Sequence, residues 1–405
     1  MKKRYLVLLI ITLMLYASAL TCLITIYIMS GARAGKSPGS SVGGSSGDVV
    51  AGAVSDYRSL LETIRDQYIG EFDADDVSAA AMHAAVDALG DRWSYYMTPE
   101  EYKAYLDASN NRYAGIGVGV DTGDTSAGVL VVSVYKGGPA EMGGVLPGDT
   151  ITCIDGTNIG GISIDAMRDM LARPIGDSVV LTINRPEEGL ISLTLVYNYV
   201  FVDPVSYEML DGNIGYIVLT NFDQGAADGF ISAMDTLLEQ GARAFVFDVR
   251  SNPGGRVVEM TAILDYLLPE GDIFVTVDKS GRENVTKSGP DTIDVPAIVL
   301  VDSNSYSAAE YFTAMLGEYG YADSVGEQTT GKNRMQVTIP QNNGGALHIS
   351  TSQYLTRNRV SLYDTGGYTP DYLLSLTEDE YALFLSGRLD YESDAQLQLA
   401  LSLLG

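Results

Sequence analysis

The hydrophobic pattern changes its period along the chain, and each change marks a different kind of element. Behind Lys2-Lys3-Arg4 lies an uncharged, mostly apolar run over residues 5–29, long enough to cross a bilayer as a helix. Residues 35–47 are rich in Gly and Ser and predict a flexible tether. Over 55–72 and again over 75–90, apolar residues recur at three and four, which predicts two helices. Asp75 and Asp76 suit the start of the second. Thr98-Pro99 predicts a turn into a third, short helix. From Tyr113 the pattern shifts to short β-branched runs punctuated by glycine (115–120, 128–135, 149–156, 178–185), interrupted by one helix around 164–172. These predict a small, partly open β-barrel. From Gly212 continuous apolar strands (214–222, 242–250, 296–302) alternate with helices (226–241, about 257–268, 307–320), the pattern of a mostly parallel sheet. Residues 345–355 predict a later strand, and 394–404 an amphipathic helix that closes the core.

Charge narrows the partners. The formal net charge is −27 and the pI near 4.2. Nothing here neutralises phosphates, so nucleic acid is excluded as a partner, as is an anionic lipid surface beyond the first few residues. The N-terminal cations favour a cytoplasmic start, with residues 1–4 as a cytoplasmic tail, 5–29 as an uncleaved anchor and the body outside. Ala32-Arg-Ala34 resembles a cleavage site and keeps removal of the anchor open. The chain has two cysteines, Cys22 and Cys153, and two histidines, His83 and His348. That excludes a disulfide framework and a Cys-rich metal site. A His-dependent triad would have to use one of two histidines, one in an alanine-rich helical run and the other in an alternating strand.

Three stretches carry candidate chemistry. In 303–312, SNSYSAAEYF, a strand-to-helix turn holds Ser303, Ser305 and Ser307. Ser307-Ala-Ala-Glu310 fits a capping box, and equally a nucleophile at a helix start, where the Ala308 N–H can point at an oxyanion. In 246–255, VFDVRSNPGG, Gly254 and Gly255 follow a buried strand. Their bare N–H groups can approach a ligand closely, or they simply make a tight turn. In 326–336, GEQTTGKNRMQ, Lys332 is followed four residues on by Gln336. In an extended segment the two share a face. Lysine acts as a base only when desolvation or cationic neighbours lower its pKa toward neutrality, and a neutral Gln can hold the amine without favouring its charge. With so few histidines, a serine hydrolase here would need the Ser–Lys variant of the triad.

Taken together, these stretches resemble the carboxy-terminal processing (tail-specific) proteases. The resemblance covers nearly everything after the tether, in family order. ALGDRWSYYMTPEEYKAYL is similar to the segment before the family's PDZ domain, GIGVGV with VYKGGPAEMGGVLPGDTITCIDG to that PDZ domain, and GNIGYIVLTNF with FDVRSNPGG to the opening of the protease core. SNSYSAAEYF through GKNRMQ resembles the catalytic segment, and the Ser307-to-Lys332 interval matches the family's spacing. The resemblance implies Ser307 as nucleophile, Lys332 as base, Gln336 as the residue orienting Lys332, and Gly254, Gly255 and Ala308 as oxyanion donors. It implies that Gly115, Ile116, Gly117 and Val118 receive a substrate's terminal carboxylate by strand addition. Ser303 and Ser305 then remain turn residues. Two departures stand out: Glu318 where the family often has Asp, and Arg334 where it has a small residue. Arg334 is expected to pair with Glu318 or to help depress the Lys332 pKa. Residues 356–372 also differ from the family's usual run.

The expected fold class is an α/β protease core, a mixed sheet with flanking helices, plus a small β-rich PDZ domain, an N-terminal helical segment and a single transmembrane helix. The expected boundaries are 30–52 for the linker, 53–110 for the helical segment, 111–200 for the PDZ domain and 201–405 for the core. The expected function is a membrane-tethered, extracytoplasmic serine endopeptidase with no metal or organic cofactor. Its partners are protein or peptide substrates with free C-terminal tails, the membrane through the N-terminal helix, and a homo-oligomer as an option. The rivals are a catalytically silent PDZ scaffold on a protease fold, and an acyl-thioester enzyme of the crotonase kind.

Overall fold

A computed structural model describes residues 46–405 apart from 122 and 124. The apolar run over 5–29 lies outside the described residues. Among those described, no helix is long and apolar enough to cross a membrane. The chain divides into one unit ending at Val77 and a second, Ser78–Gly405.

In the first unit, helix α1 (Ser46–Gln67) starts inside the stretch expected to be linker. The Val49, Val50 and Val54 run extends the helical periodicity backwards, and all three side chains are exposed. Helix α2 (Ala74–Asp87) begins in this unit and runs past its end at Val77.

In the second unit, strand β1 (Tyr95–Met97) and helix α3 (Pro99–Ser109) come first. Thr98 caps α3: its Oγ1 accepts from the Glu101 N–H while the Glu101 carboxylate accepts from its own N–H, so two orphan donors are satisfied reciprocally. Strand β2 (Arg112–Gly115) then leads into a five-stranded antiparallel path of β3 (Val118–Asp121), β4 (Val129–Val134), β5 (Thr150–Ile154), β7 (Ser178–Arg185) and β8 (Gly189–Val196). The short β6 (Thr157–Asn158) pairs with β5, and helices α4 (Pro139–Met142) and α5 (Ile164–Met170) complete the domain. Along β7, Val179, Leu181 and Ile183 are fully buried while Ser178, Val180 and Asn184 face out, the period of two that one covered face requires. Strand β9 (Asn198–Phe201) leaves the domain paired antiparallel with β2, so the chain enters and departs through one two-stranded ribbon.

The core sheet runs β10 (Val205–Leu210), β11 (Ile214–Leu219), β12 (Ala244–Asp248), β15 (Ala297–Val301), β16 (Ala322–Gly326) and β19 (Tyr372–Leu373). It is parallel except for β10 against β11. Both central strands are buried throughout because both faces are covered. Phe245, Phe247, Val299 and Val301 pack with helices α6 (Ala226–Glu239), α7 (Val257–Leu267) and α8 (Ala308–Glu318). Val246, Ile298 and Leu300 point the other way, onto α10 (Ala395–Leu404). A short helix, α9 (Glu378–Leu385), precedes α10.

A second, antiparallel sheet was not legible in the hydrophobic pattern. Strand β18 (Ala346–Leu355) pairs with β17 (Arg334–Pro340), with β1, and with β13 (Asp272–Asp278), which in turn pairs with β14 (Glu283–Lys287). This sheet brings residues 91–97 next to Lys332 and Gln336, segments more than two hundred positions apart in the chain.

Candidate active site

The parallel sheet positions two turns. At the end of β12, Asp248 meets Arg250, which is buried and also paired with Asp394 at the start of α10. Tyr216 donates to Asp248 at 2.6 Å. This satisfied buried network anchors the turn that follows. Within the turn, Asn252 is inaccessible: its Nδ2 donates to the Leu219 carbonyl, its Oδ1 accepts from the Gly254 N–H, and its carbonyl accepts from the Tyr306 N–H.

At the end of β15, residues 302–306 turn into α8. Ser305 is fully buried and donates to the Val249 carbonyl at 2.8 Å; Ser303 accepts on its carbonyl from Thr330. Both are turn residues. Ser307 has φ 58° and ψ −119°, a left-handed conformation that a non-glycine residue holds only against strain. That strain marks the sharp strand-to-helix turn on which hydrolases expose a nucleophile. The two turns touch at Gly254. A Cβ there would lie 2.7 Å from the Ser307 Cβ and 2.8 Å from the Ala308 nitrogen, and the residue sits at φ 90°, so only glycine fits.

Of the three expected oxyanion donors, one is corrected. The Gly254 N–H is committed to Asn252 Oδ1 at 2.8 Å, so this glycine supplies room rather than a donor. The Gly255 and Ala308 N–H groups have no hydrogen-bond partner among the described residues, and both residues line the same cavity as Ser307. Free amides flanking a strained serine can stabilise a developing oxyanion.

Glu310 is fully buried. Its Oε2 accepts from the Ser307 N–H at 3.0 Å and the Lys332 N–H at 2.8 Å; its Oε1 accepts from the Gly331 N–H and Thr329 Oγ1. Burial pushes its carboxyl above the usual range, against those four donors. One carboxylate oxygen thus joins the main chains of both candidate catalytic residues. The capping box is present in part, but its glutamate does more than cap.

Lys332 is pulled down to about 8, first by desolvation and with help from Arg92, while Glu310 and Asp91 oppose. Its Nζ lies 4.5 Å from the centroid of the Trp93 ring and makes no hydrogen bond or ion pair among the described residues. Ser307 and Lys332 line one cavity of about 960 Å³, but no hydrogen bond joins their side chains. Gln336 also lines it, yet its Nε2 donates to the Arg334 carbonyl and to Ser350 Oγ, both at 2.9 Å. A register shift interrupts β17 between Met335 and Gln336. Arg334 pairs with Asp91 at 3.1 Å, whereas Glu318 accepts from Thr356 and the Asn358 N–H.

Sequence reasoning assigned no role to Asp91, Arg92, Trp93 or His348, all close to Lys332. His348 lies on β18 in the cavity wall, with its imidazole pulled down to about 4 by burial and then by Lys332. In the smaller domain, Gly115, Ile116, Gly117 and Val118 border an apolar cavity of about 540 Å³ with Ile164 and Met167 of α5 and Leu171 just after it. The Ile116 and Gly117 N–H groups have no partner among the described residues, and β3 is the edge of its sheet.

Residues 213–374 match Peptidase family S41, and residues 130–185 match the PDZ domain. The carboxy-terminal processing protease CtpA of Bacillus subtilis is 29% identical over 75% of this chain and 66% of its own length. The chloroplastic carboxyl-terminal-processing peptidase 2 of Arabidopsis thaliana is 33% identical over 75% of this chain and 62% of its own. The match thus spans just under two thirds of both relatives. A solved structure from Bacteroides fragilis NCTC 9343, assigned to the S41 proteases, covers 83% of this chain and 92% of its own at 19% identity, with a TM-score of 0.53; it shares the fold. The turns that meet at Gly254 fall within the S41 match and the β3 edge leads into the PDZ match, so the chain contains a region similar to peptidase family S41 and a region similar to a PDZ domain, in an arrangement similar to that of the carboxy-terminal processing proteases.

Proposed function

We propose that this chain is a serine endopeptidase acting on proteins or peptides with free C-terminal tails, tethered to the cell membrane by residues 5–29 with its body outside the cytoplasm. The observation that carries the catalytic part is Ser307: a strained residue at a helix start, beside two unpaired amides, tied through Glu310 to a lysine whose surroundings disfavour its charge. In the proposed reaction Ser307 Oγ attacks the scissile carbonyl carbon as its proton passes to the neutral Lys332 Nζ. The Gly255 and Ala308 N–H groups hold the resulting oxyanion. Lys332 then returns the proton to the leaving amine, and water hydrolyses the acyl-enzyme by the same relay. Gln336 orients Lys332 in the working arrangement.

That arrangement requires Gln336 to leave Ser350 and Lys332 to reach Ser307. Its present absence supports reading the described geometry as a resting one. The unpaired Ile116 and Gly117 amides at the β3 edge support a terminal carboxylate docking at 115–118, with an apolar last side chain in the cavity beside α5. Docking shifts the protease toward its working arrangement only if the tail binds the two with different affinity. Self-association is proposed through the exposed apolar residues of α1.

The test uses peptides with an apolar last residue, as free acids and as C-terminal amides. The expected result is faster cleavage of the acids by the full chain, loss of all cleavage in Ser307→Ala, and covalent labelling of Ser307 by a fluorophosphonate. Equal rates for acid and amide remove tail reading. Absence of labelling and cleavage together returns the chain to the silent scaffold. Digestion of the body by protease added to intact cells tests the outward location, and a mature N-terminus after Ala34 would replace the anchor with a cleaved leader.

A further inference from the structure

Trp93 is the chain's single tryptophan, and it is held from several directions. Its main-chain N–H donates to Asp91 Oδ1 at 3.2 Å, Ser94 Oγ donates to Asp91 Oδ2 at 2.7 Å, and the Ser350 main-chain N–H of β18 donates to Ser94 Oγ at 3.0 Å. Asp91 is in turn paired with Arg334 of β17. The Trp93 ring stacks on that of Tyr306, the residue before Ser307, with centroids 5.9 Å apart. Over this one indole lie two cations: the Arg92 guanidinium carbon at 4.1 Å and the Lys332 nitrogen at 4.5 Å. The ring attracts each of them, and each repels the other.

We propose that Trp93 is the positioning residue for Lys332: the indole seats the amine and keeps water from it, with the Arg92 guanidinium held over the same ring. The proposal rests on the reading of Lys332 as the base. The charged and titratable groups facing Lys332 are Glu310 from α8, Asp91 and Arg92 ahead of β1, and His348 from β18, with Arg334 of β17 engaged by Asp91. Glu310 and Asp91 favour the ammonium form and Arg92 opposes it. His348, held neutral by burial, adds no charge near pH 7. Desolvation is the leading cause of the Lys332 shift, so removing a ring that covers the amine is expected to raise the lysine's pKa, provided the water admitted outweighs the lost ring attraction.

The first measurement needs no activity. In full-length Ser307→Ala, indole emission is followed from neutral to alkaline pH. The expected titration has its midpoint at about 8 and vanishes when Lys332→Met is added. The second measurement is the pH dependence of kcat/KM in the active chain. Trp93→Ala is expected to lower kcat at pH 7 by roughly tenfold with KM little changed, and to move the acidic limb up by about one pH unit as water reaches the amine. Trp93→Phe restores most of both, and Arg92→Gln moves the limb in the same direction by a smaller step. Emission that does not titrate, or titrates equally without Lys332, overturns the proposal. So does a Trp93→Ala limb that superimposes on the parent. A Lys332-dependent emission titration in a chain without peptidase activity upholds the seat and removes the peptidase reading instead.

Discussion

The two walls of the candidate site are prepared to different degrees. On the nucleophile wall, Ser307 already carries its strained backbone, Gly254 leaves the clearance it needs, and the Gly255 and Ala308 amides are unpaired. On the base wall, Lys332 rests over Trp93, Gln336 is engaged by Ser350 and the Arg334 carbonyl, and nothing bonds the lysine to the serine. The difference follows from what builds each wall. The nucleophile wall is two neighbouring turns at the ends of parallel strands buried on both faces, and a close-packed core has few ways to move. The base wall is the half-buried β17–β18 hairpin braced by residues 91–97, held by hydrogen bonds each worth about 1 kcal/mol. An arrangement of that strength can be exchanged for another by a bound ligand.

The largest expected effects test whether both walls serve one reaction. Lys332→Ala and Ser307→Ala should each lower kcat by about 10⁴-fold or more, because residues acting as a unit fail together. Both should keep the parent's thermal transition. Lys332→Arg should fail equally, since a guanidinium does not deprotonate near neutral pH. The proposed role of the lysine sets the sign of the pH dependence: a lysine base works neutral, so on that reading kcat/KM should rise as pH passes through about 8 and flatten above it. A Lys332→Ala chain near parental activity would separate the walls altogether.

Gly254→Ala strikes the nucleophile wall alone. The added Cβ would sit 2.7 Å from the Ser307 Cβ. Displacing Ser307 from the oxyanion donors proposed for it should cost about 10²–10³-fold in kcat. Gly320→Ala is the control: that glycine also has positive φ, 64°, but a Cβ there meets nothing within 4 Å. It should lose stability without losing kcat. Equal kcat losses in the two variants would mean that backbone strain, not displacement of Ser307, is responsible.

The nucleophile wall was largely legible in the sequence, and the base wall was not, for the same reason. The strand–turn–helix order, the SAAE run and the paired glycines are local signals, and Ser307, Ala308 and Gly255 fell where those signals put them. Gly254 was half-legible: its lack of a side chain was readable, but the Asn252 Oδ1 that takes its N–H became visible only once the turn was folded. Strand β18 was legible as an alternating segment, but its pairing with β1 and β13 was not, so the residues ahead of β1 left no mark. Trp93 and Asp91 had nothing in their surroundings to point at Lys332. Gln336 shows the limit of parity arguments: it does line one cavity with Lys332, but a register shift at Met335 accompanies an amide turned to Ser350 rather than to the lysine. Glu310 was visible as a capping residue, but its bonds to Thr329, Gly331 and Lys332 are tertiary.

Glu310→Gln joins the comparison at its hinge, since this side chain accepts from both walls. Replacing one oxygen by an amide NH₂ turns a donor toward two others, whichever way the amide is set. Stability in denaturant should fall by about 1–3 kcal/mol, the cost of buried donors left without acceptors. kcat should fall as well, by about tenfold or more, if positioning through Glu310 serves both residues. The pH limb sharpens the test. Glu310 favours the Lys332 ammonium, so removing its charge should move the limb to lower pH, opposite to the shift expected for Trp93→Ala. A limb that moves upward would mean that the variant had opened the site to water rather than removed a charge.

The smallest expected effect bears on whether the base wall is resting or merely badly formed. Ser350 Oγ accepts from Gln336 Nε2 at 2.9 Å. If Gln336 must abandon that bond to reach Lys332, Ser350→Ala removes part of the barrier. One half-buried side-chain bond is worth about 0.5–1.5 kcal/mol, so the working arrangement should gain about two- to tenfold in population at equilibrium. Basal cleavage of C-terminal amide peptides, which lack the tail signal, should rise by that factor. Cleavage of free-acid peptides at saturation should change less if the proposed docking at 115–118 has already shifted the balance. The acid-to-amide rate ratio is therefore the informative quantity, and it should fall in Ser350→Ala. Gln336→Ala should lower both rates together and leave the ratio alone. A Ser350→Ala chain with an unchanged ratio and lower rates would show that Ser350 holds Gln336 in its working place, and the base wall would then be as prepared as the nucleophile wall.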